Sequence, residues 1–437
     1  MKRQATHPIA TLLLNLNLAT LFGGMILALV FRTVTDSSEA MAMTMGAVLG
    51  AVGALTVALD ACGMARSPAR RGIMSMVAVI TFMGLPGLLL HSYTDVTITT
   101  YLFLLLLAVR NYICFFGIPL SRTAGARPLE RSILSWTLAA FVIVVIGTLL
   151  IARNTGISLA SSERMSGNTN SWLNPNAGGE YCAFALLICA MASFFPRWIR
   201  ILVAAAALYA LILTQSRTAT IALVAGLGMN LALVFARRKL IGICVACVAA
   251  LGMTVWAGDL MQIATNFPQI TTFMNRMQGI SRFQGREEVL RQGLDLFWES
   301  PIFGHGYFVV NARFENGYLS LACETGIVGL FLYLLFLVRA LWQARQLLKT
   351  PDNTRAHRVG HYLACTTVFI IVHAMGERTN GFQIASPVSN LWAVLCGLAF
   401  TLNPSARQVA LKEIHSWVRR PIPIGLIQSP ALNLRRR

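Results

Sequence analysis

Charged side chains are scarce in this sequence, and their scarcity already indicates the class of protein. Only 12% of the 437 residues are charged, whereas a soluble domain carries about a quarter. Hydrophobic residues make up 56% of the chain. This composition excludes an ordinary soluble domain and predicts an all-α, polytopic membrane protein.

Acidic residues are the rarer charge, with 17 Asp and Glu against 36 Lys and Arg, for a net charge of +19. A nucleic-acid-binding protein gathers its basic residues into a patch on a folded surface or arm. Here the basic residues separate apolar runs, which is the pattern left by insertion into a membrane. The sequence therefore predicts no nucleic-acid partner and a lipid bilayer as its surroundings.

Cysteine is absent from the long polar loops, and all nine cysteines lie in or beside apolar runs. Cys244 and Cys247 have the spacing of a redox or metal pair. They fall in the middle of an apolar run without a histidine, so small buried residues are the simpler interpretation. We predict no disulfide bond, no metal site and no cofactor.

About 20 apolar residues suffice to cross a bilayer, and about twelve runs of the chain are long enough. They lie near 8–31, 40–61, 72–91, 96–118, 132–152, 176–195, 197–214, 218–236, 240–257, 319–341, 359–376 and 383–402. We expect spans one to nine in residues 1–257, a large periplasmic loop at 258–318, spans ten to twelve in 319–402, and a basic cytoplasmic tail at 403–437.

The distribution of charge orients these spans. With the N-terminus in the cytoplasm, the cytoplasmic side receives 25 of the 36 basic and four of the 17 acidic residues. The outer side then receives 10 basic and 13 acidic residues, and Arg110 lies within a span. Cytoplasmic loops of membrane proteins carry the excess of Lys and Arg, so we expect both termini in the cytoplasm.

The large outer loop contains a short amphipathic segment near 286–300. Its apolar residues recur at three- and four-residue spacing, acidic residues occupy its first turn, and Pro301 closes it. About 15 residues are too few to span a bilayer but suit a helix lying at the interface. Packing of the loop onto the membrane domain explains the apolar face. It does not explain Arg286 at the helix start, where positive charge opposes the helix dipole. An anion bound there would be attracted by both the arginine and the helix N-terminus.

Arg217, in "TQSRTATIALVAG" (214–226), is a second unexpected arginine. It lies on the outer side, where the orientation rule gives it no role, although an interfacial arginine can also extend its side chain toward water. Our hypothesis is that Arg217 and Arg286 together bind a diphosphate, whose oxygens match the arginine fork. A polyprenyl diphosphate is the natural ligand at that depth.

The segment "FENGYLSLACETGIVGLFLYL" (314–334) opens the tenth span. Residues nine apart on one continuous helix lie on opposite faces, so Glu315 and Glu324 cannot serve one site unless the helix starts late or is broken. We favour Glu315 for chemistry, although a carboxylate is also favoured at a helix start by the dipole. Glu324 is equally compatible with a structural role inside the bundle.

Further polar residues accompany these candidates on the outer side. In "WLNPNAGGEYCAFALL" (172–187), Asn174 can cap a helix whose first residue is Pro175, whereas Glu180 is left unexplained. The candidate substrate-binding residues, besides the two arginines, are Asn176, Arg282, Asn316 and Glu324.

The segments "LNPNAGG", "LTQSRTATIAL", "GREEVLRQGLDLFWESPIFGHG" and "FENGYLSLACETGIVGLFLYL" resemble, in this order, the O-antigen ligase and polymerase superfamily of bacterial inner-membrane proteins. The resemblance implies transfer of a glycan from undecaprenyl diphosphate to a sugar acceptor, at the periplasmic face and without a metal. It also implies dependence on a flippase and on a regulator of chain length.

One difference from the family pattern distinguishes a polymerase from a ligase. Ligase-type relatives commonly carry His-Asn where this chain has Glu315 and Asn316. The resemblance therefore favours a polymerase of O-antigen or exopolysaccharide, with Glu315 as base, over a ligase that joins glycan to the lipid A core. A transporter would instead place charges near the bilayer midplane, and a scaffold would not need the outer arginines. The position of His305 in the family pattern varies, and it has no assigned role.

Overall fold

The protein is helical throughout the part of the chain that the structure, a computed structural model, describes. Apart from Leu18, Ala78 and Thr272, that part comprises residues 81–90, 98–118, 129–158, 175–235, 287–307, 316–352, 354–377 and 386–402. No strand occurs among these residues, and the all-α fold class is confirmed.

The helices follow the apolar runs of the sequence. They are α1 (Leu85–Leu90), α2 (Ile98–Tyr112), α3 (Leu129–Asn154), α4 (Pro175–Met191), α5 (Arg197–Thr214), α6 (Arg217–Phe235), α7 (Glu287–Glu299), α8 (Gly317–Leu348), α9 (Arg355–His373) and α10 (Pro387–Thr401), with a π-helical turn at Ile113–Gly117. The spans predicted near 8–31, 40–61 and 240–257 lie outside the described residues, and the division into domains stays a prediction.

Within the described residues, four helices are long and apolar enough to cross a membrane by length and composition: α3, α5, α6 and α8. Shorter apolar helices occupy Leu104–Phe115, Asn176–Met191 and Val388–Thr401. Together they make this chain a polytopic membrane protein.

The helices divide into an inner group and an outer group. Every described side chain of α4 and α9, and of α10 up to Phe400, is buried or partly buried. Phe184 of α4 meets Phe369 of α9 edge to face, with 4.8 Å between ring centroids. The peripheral helices α5, α6 and α8 instead expose large apolar side chains such as Ile201, Val224 and Phe331. Because lipid chains are as apolar as these side chains, this surface is suited to face the bilayer.

Helix α8 is broken where the sequence predicts a continuous span. Gly326 has φ 68° and ψ −172°, a backbone conformation that side-chain-bearing residues rarely adopt. The loop 301–307 fills the break. His305 N–H donates to the Cys323 carbonyl at 2.9 Å and Gly306 N–H donates to that of Glu324 at 2.8 Å, so carbonyls freed by the break keep hydrogen-bond partners.

Two groups of polar contacts lie at opposite ends of the bundle. At one end, Glu130 at the start of α3 is fully buried and binds Arg355 at 3.1 Å and Arg358 at 2.7 Å, both from the start of α9. The other end joins the starts of α4, α6, α8 and α10 to the end of α9. The residues at the first end belong to predicted cytoplasmic loops, and those at the second lie in predicted outer loops or at the adjoining ends of predicted spans.

Candidate functional site

A tight turn between α5 and α6 positions Arg217. Gln215 adopts a left-handed conformation with φ 50° and ψ 34° and ends α5, and after Ser216 the next helix begins at Arg217. The arginine is partly buried in this position. A basic side chain at the positive end of a helix is electrostatically unfavourable by itself, so this location fits the hypothesis that Arg217 binds an anion.

The start of α4 packs directly against this turn. A Cβ on Gly179 would lie 3.0 Å from both the Ser216 and the Thr214 hydroxyl oxygens, so a glycine is needed for the close approach. Helix α4 begins at Pro175, as predicted. Asn176 is partly buried in its first turn, and Glu180 is buried one turn further in. The Ser386 hydroxyl, from the cap of α10, donates to the Glu180 carboxylate at 3.5 Å.

The end of α9 connects the Arg217 turn with the start of α8. The Thr218 hydroxyl donates to the Glu377 carboxylate at 3.2 Å. Next to it, the Asn316 side-chain amide donates to the Met375 carbonyl at 3.1 Å. The structure thus brings together at one end of the bundle a set of residues that we call the polar cluster: Asn176, Glu180, Arg217, Thr218, Asn316, Glu377 and Ser386.

Asn316 has a structural function in this cluster. Its Oδ1 accepts hydrogen bonds from the Tyr318 and Leu319 backbone N–H groups, both at 3.0 Å, and thereby caps α8. Its Nδ2 is the donor to Met375. These three bonds account for its position without a substrate, and substrate binding by Asn316 stays a prediction.

Glu324 lies apart from this cap, at the break in α8. It is buried two residues before Gly326. Burial and the nearby Glu324 carboxylate and Tyr333 hydroxyl raise the pKa of Tyr307 well above its usual value. Tyr307 therefore remains protonated beside the Glu324 carboxylate. Glu324 is thus part of the architecture of the break in α8.

Helix α7 is fastened to α8 at two points. The Cys323 thiol donates to the Gly293 carbonyl at 3.2 Å. His305 Nε2 lies 2.9 Å from the Leu296 carbonyl, which belongs to the last turn of α7 and has no partner within the helix. A proton on Nε2 makes His305 the donor. His305, whose role the sequence left open, thus joins the end of α7 to the break in α8.

Three predicted site residues, Arg282, Arg286 and Glu315, lie outside the described residues. Their neighbours are informative, because Arg286 immediately precedes α7 and Glu315 immediately precedes the Asn316 cap of α8. Since α8 starts only at Gly317, the opposite-face relation of one continuous helix does not apply to Glu315 and Glu324.

Sequence reasoning missed the partners of Arg110. This fully buried arginine donates from Nε to Asn390 Oδ1 at 2.8 Å and from Nη1 to Asn111 Oδ1 at 2.6 Å. The Asn111 amide donates in turn to the Thr81 hydroxyl at 2.9 Å. Amide and hydroxyl side chains thus surround this buried charge. None of them is distinctive enough in the sequence to be singled out.

In the described part of the chain, no group of three or more His, Cys, Asp and Glu side chains is arranged to hold a metal ion. The comparison with protein families gives a match over residues 201–334, to the family described as O-antigen ligase. The match runs from α5 through the Arg217 turn, the large loop and α7 to the middle of α8. No curated protein matches the chain significantly.

Proposed function

Because the chain belongs to the superfamily of O-antigen ligases and polymerases, we propose that it is a polysaccharide polymerase. Members of this superfamily are glycosyltransferase-like enzymes of the membrane. In the proposed reaction, a glycan passes from undecaprenyl diphosphate to a sugar acceptor at the periplasmic face of the bacterial inner membrane, without a metal. The observation that carries the proposal is the position of Arg217 at a helix start, inside the polar cluster and inside the matched region.

The donor diphosphate is assigned to Arg217 and Arg286. Both arginines stand at or directly before a helix start, Arg217 at α6 and Arg286 before α7. Backbone N–H groups and the dipole at such starts favour phosphate, and the arginine fork adds two parallel hydrogen bonds. Negative charge grows on the diphosphate as the anomeric bond breaks, and preorganised donors of this kind contribute about 3–4 kcal/mol each.

Deprotonation of the acceptor sugar is assigned to Glu315. A hydroxyl oxygen of the acceptor sugar attacks the anomeric carbon of the donor glycan while the bond from that carbon to the diphosphate oxygen breaks. The hydroxyl proton passes to the Glu315 carboxylate, and undecaprenyl diphosphate leaves with the electron pair of the broken bond. Direct attack inverts the anomeric centre. A base must lie within reach of the hydroxyl it deprotonates, and Glu315 directly precedes the Asn316 cap of α8 in the sequence.

Ligation of O-antigen to the lipid A core is the second candidate, because the matching family is described as O-antigen ligase. The residue before Asn316 favours the polymerase. This residue is a glutamate in this chain, whereas ligase-type members of the superfamily that the chain resembles commonly carry histidine there.

Glycan analysis of a deletion strain tests the proposal. We expect loss of the polymerase to leave single repeat units on their acceptor, or no exported polymer, with full-length chains restored by the wild-type gene. Long polymer stranded on the undecaprenyl carrier, together with bare lipid A core, would instead identify a ligase. Repeat units made in the cytoplasm need a flippase to reach this site, and a regulator of chain length would act with the polymerase.

A further inference from the structure

The surface of α7 is divided lengthwise into three sectors. One sector, with Val289, Gly293, Leu296 and Phe297, packs around Cys323 of α8 or is buried next to it. The opposite sector is polar and exposed, and its members are Glu288, Arg291, Gln292, Asp295 and Glu299. Between them runs an apolar stripe, Leu290, Leu294 and Trp298, at four-residue spacing.

The apolar stripe is not covered by the described protein. Leu290 and Leu294 are 47% and 44% exposed, and Trp298 is 69% exposed. The apolar arc of α7 is therefore about twice as wide as the face that α8 covers. A helix that only fastened the loop to the bundle would need apolar residues on the α8 side alone.

The stripe continues into the lipid-facing surface of α8. Beyond the end of α7, Ile302 and Phe303 are exposed. Their segment is joined to α8 by the Ile327 N–H, which donates to the Pro301 carbonyl at 2.8 Å. Exposed Ile327 and Phe331 carry the apolar surface down along α8. Exposed apolar residues thus extend from the membrane-spanning helix α8 through the segment after α7 to the exposed flank of α7.

We propose that Leu290, Leu294 and Trp298 rest on the acyl chains of the outer leaflet, so that α7 lies along the membrane surface with its polar sector in water. The polar sector holds three acidic residues and one basic residue, so attraction to anionic lipid contributes nothing, and burial of apolar area holds the helix. The consequence, which rests on the proposed function, is that α7, which Arg286 directly precedes in the sequence, lies at the depth of the carrier diphosphate.

Fluorescence of Trp298 in phosphatidylcholine vesicles tests this surface. The full-length protein is reconstituted, and the spectrum of Trp298→Phe is subtracted from that of the wild type to isolate this one of the eight tryptophans. We expect the difference spectrum to be quenched by phosphatidylcholine brominated on its acyl chains and to be insensitive to aqueous acrylamide. Addition of anionic lipid should leave the quenching unchanged.

Two outcomes overturn the proposal. Quenching by acrylamide and not by brominated lipid would place Trp298 in water. Quenching by neither would mean that protein covers the stripe, either another segment of this chain or a second copy.

A matched pair of carboxylates provides a second measurement. Leu294→Glu puts a charge into the stripe, and Gln292→Glu puts the same charge into the polar sector of the same helix. We expect brominated lipid to quench Trp298 several-fold less in Leu294→Glu and equally well in Gln292→Glu. Equal quenching in both variants would contradict a lipid-facing stripe; if Leu294→Glu does not accumulate, Leu294→Ser and Gln292→Ser give the same contrast.

These measurements need neither donor nor acceptor, so their result is independent of the proposed function. Polymer synthesis is scored separately in the same two variants. We expect it to fall at least tenfold in Leu294→Glu only, since a reacting group displaced by about 1 Å can cost about a hundredfold in rate. If Leu294→Glu has lost quenching by lipid but still makes wild-type polymer, the position of α7 does not affect the proposed site.

Discussion

Arg217 occupies a helix position at which an acidic residue would be the more stable choice. Its charge opposes the dipole of α6, and the side chain is partly buried next to the Thr218–Glu377 hydrogen bond. A helix start is also where phosphate groups bind, and we propose that the donor diphosphate binds here.

We therefore expect Arg217→Ala to lower polymer formation by about a hundredfold, the loss of one oxyanion donor, while the protein still inserts. Arg217→Lys should restore little, because a point charge cannot replace a bidentate fork. The measurement is polymer length and amount on gels of cell-surface glycan. Arg153→Ala is the matched control, since Arg153 is an exposed arginine on a predicted outer loop. Near-normal polymer from Arg217→Ala would remove this arginine from the site.

Glu315 yields a second prediction at this scale. Glu315→Gln keeps the shape and hydrogen-bonding capacity of the side chain but cannot accept a proton. If Glu315 is the base, this variant should accumulate the single repeat units of the deletion strain, a loss of about 10²–10⁴-fold in rate. Size-exclusion chromatography of released glycans measures the repeat number. Wild-type chain lengths from Glu315→Gln would assign the carboxylate to the start of α8 instead.

Individual residues were foreseeable where the signal was local. Asn316, Arg217 and the start of α4 at Pro175 are each marked by their immediate neighbours in the sequence. The partners of Arg110 were not foreseeable, because Asn390 is 280 residues away and neutral amides carry no distinctive pattern. The Glu180–Ser386 contact joins residues 206 positions apart and was missed for the same reason.

At the scale of elements, the junction of α7, the loop 301–307 and α8 distinguishes this fold from a plain bundle. The apolar run at 319–341 predicted a helix there, and the structure has one from Gly317 to Leu348. The run could not predict the break at Gly326, because a glycine inside a span is common and the break exists only with the loop that fills it. Broken helices inside membranes are tolerated where protein satisfies the freed backbone groups, as His305 and Gly306 do here.

The contact between His305 and the end of α7 allows a prediction about that helix. His305→Ala removes the donor to the Leu296 carbonyl, which frees the last turn of α7. We expect hydrogen exchange of the amides in that turn to accelerate about fivefold, the equivalent of about 1 kcal/mol for one hydrogen bond. His305→Gln, which keeps an N–H donor of similar reach, should return exchange toward the wild-type rate. Mass spectrometry of the α7 peptide from purified full-length protein provides the measurement.

An effect confined to the loop 301–307, with α7 unchanged in His305→Ala, would show that Cys323 alone fastens the helix. Arg291→Ala serves as the control, because Arg291 lies on the exposed sector of α7 and makes no contribution to either fastening.

At the scale of the whole molecule, the most polar of the long helices, α9, lies inside the bundle. The polar helix α9 is enclosed by α6 and α8, which explains why a segment with several charged and histidine residues can run through a membrane protein. Glu130 is bound by Arg355 and Arg358 at one end of α9, and the polar cluster lies at the other end.

The orientation of the two ends is the last prediction, and it follows from the charge of the loops. The Glu130 end carries most of the basic loops and is expected in the cytoplasm; the polar cluster is expected outside, where a lipid-linked glycan is polymerised. Asn154 and Asp352 are exposed at opposite ends, and the cysteines of the described residues are buried. In cells with a permeabilised outer membrane, a membrane-impermeant maleimide should label Asn154→Cys and should label Asp352→Cys only after the inner membrane is opened, with the wild type as background. The reverse pattern would put Arg217 on the cytoplasmic side, and both the polymerase and the outer-leaflet position of α7 would then be untenable.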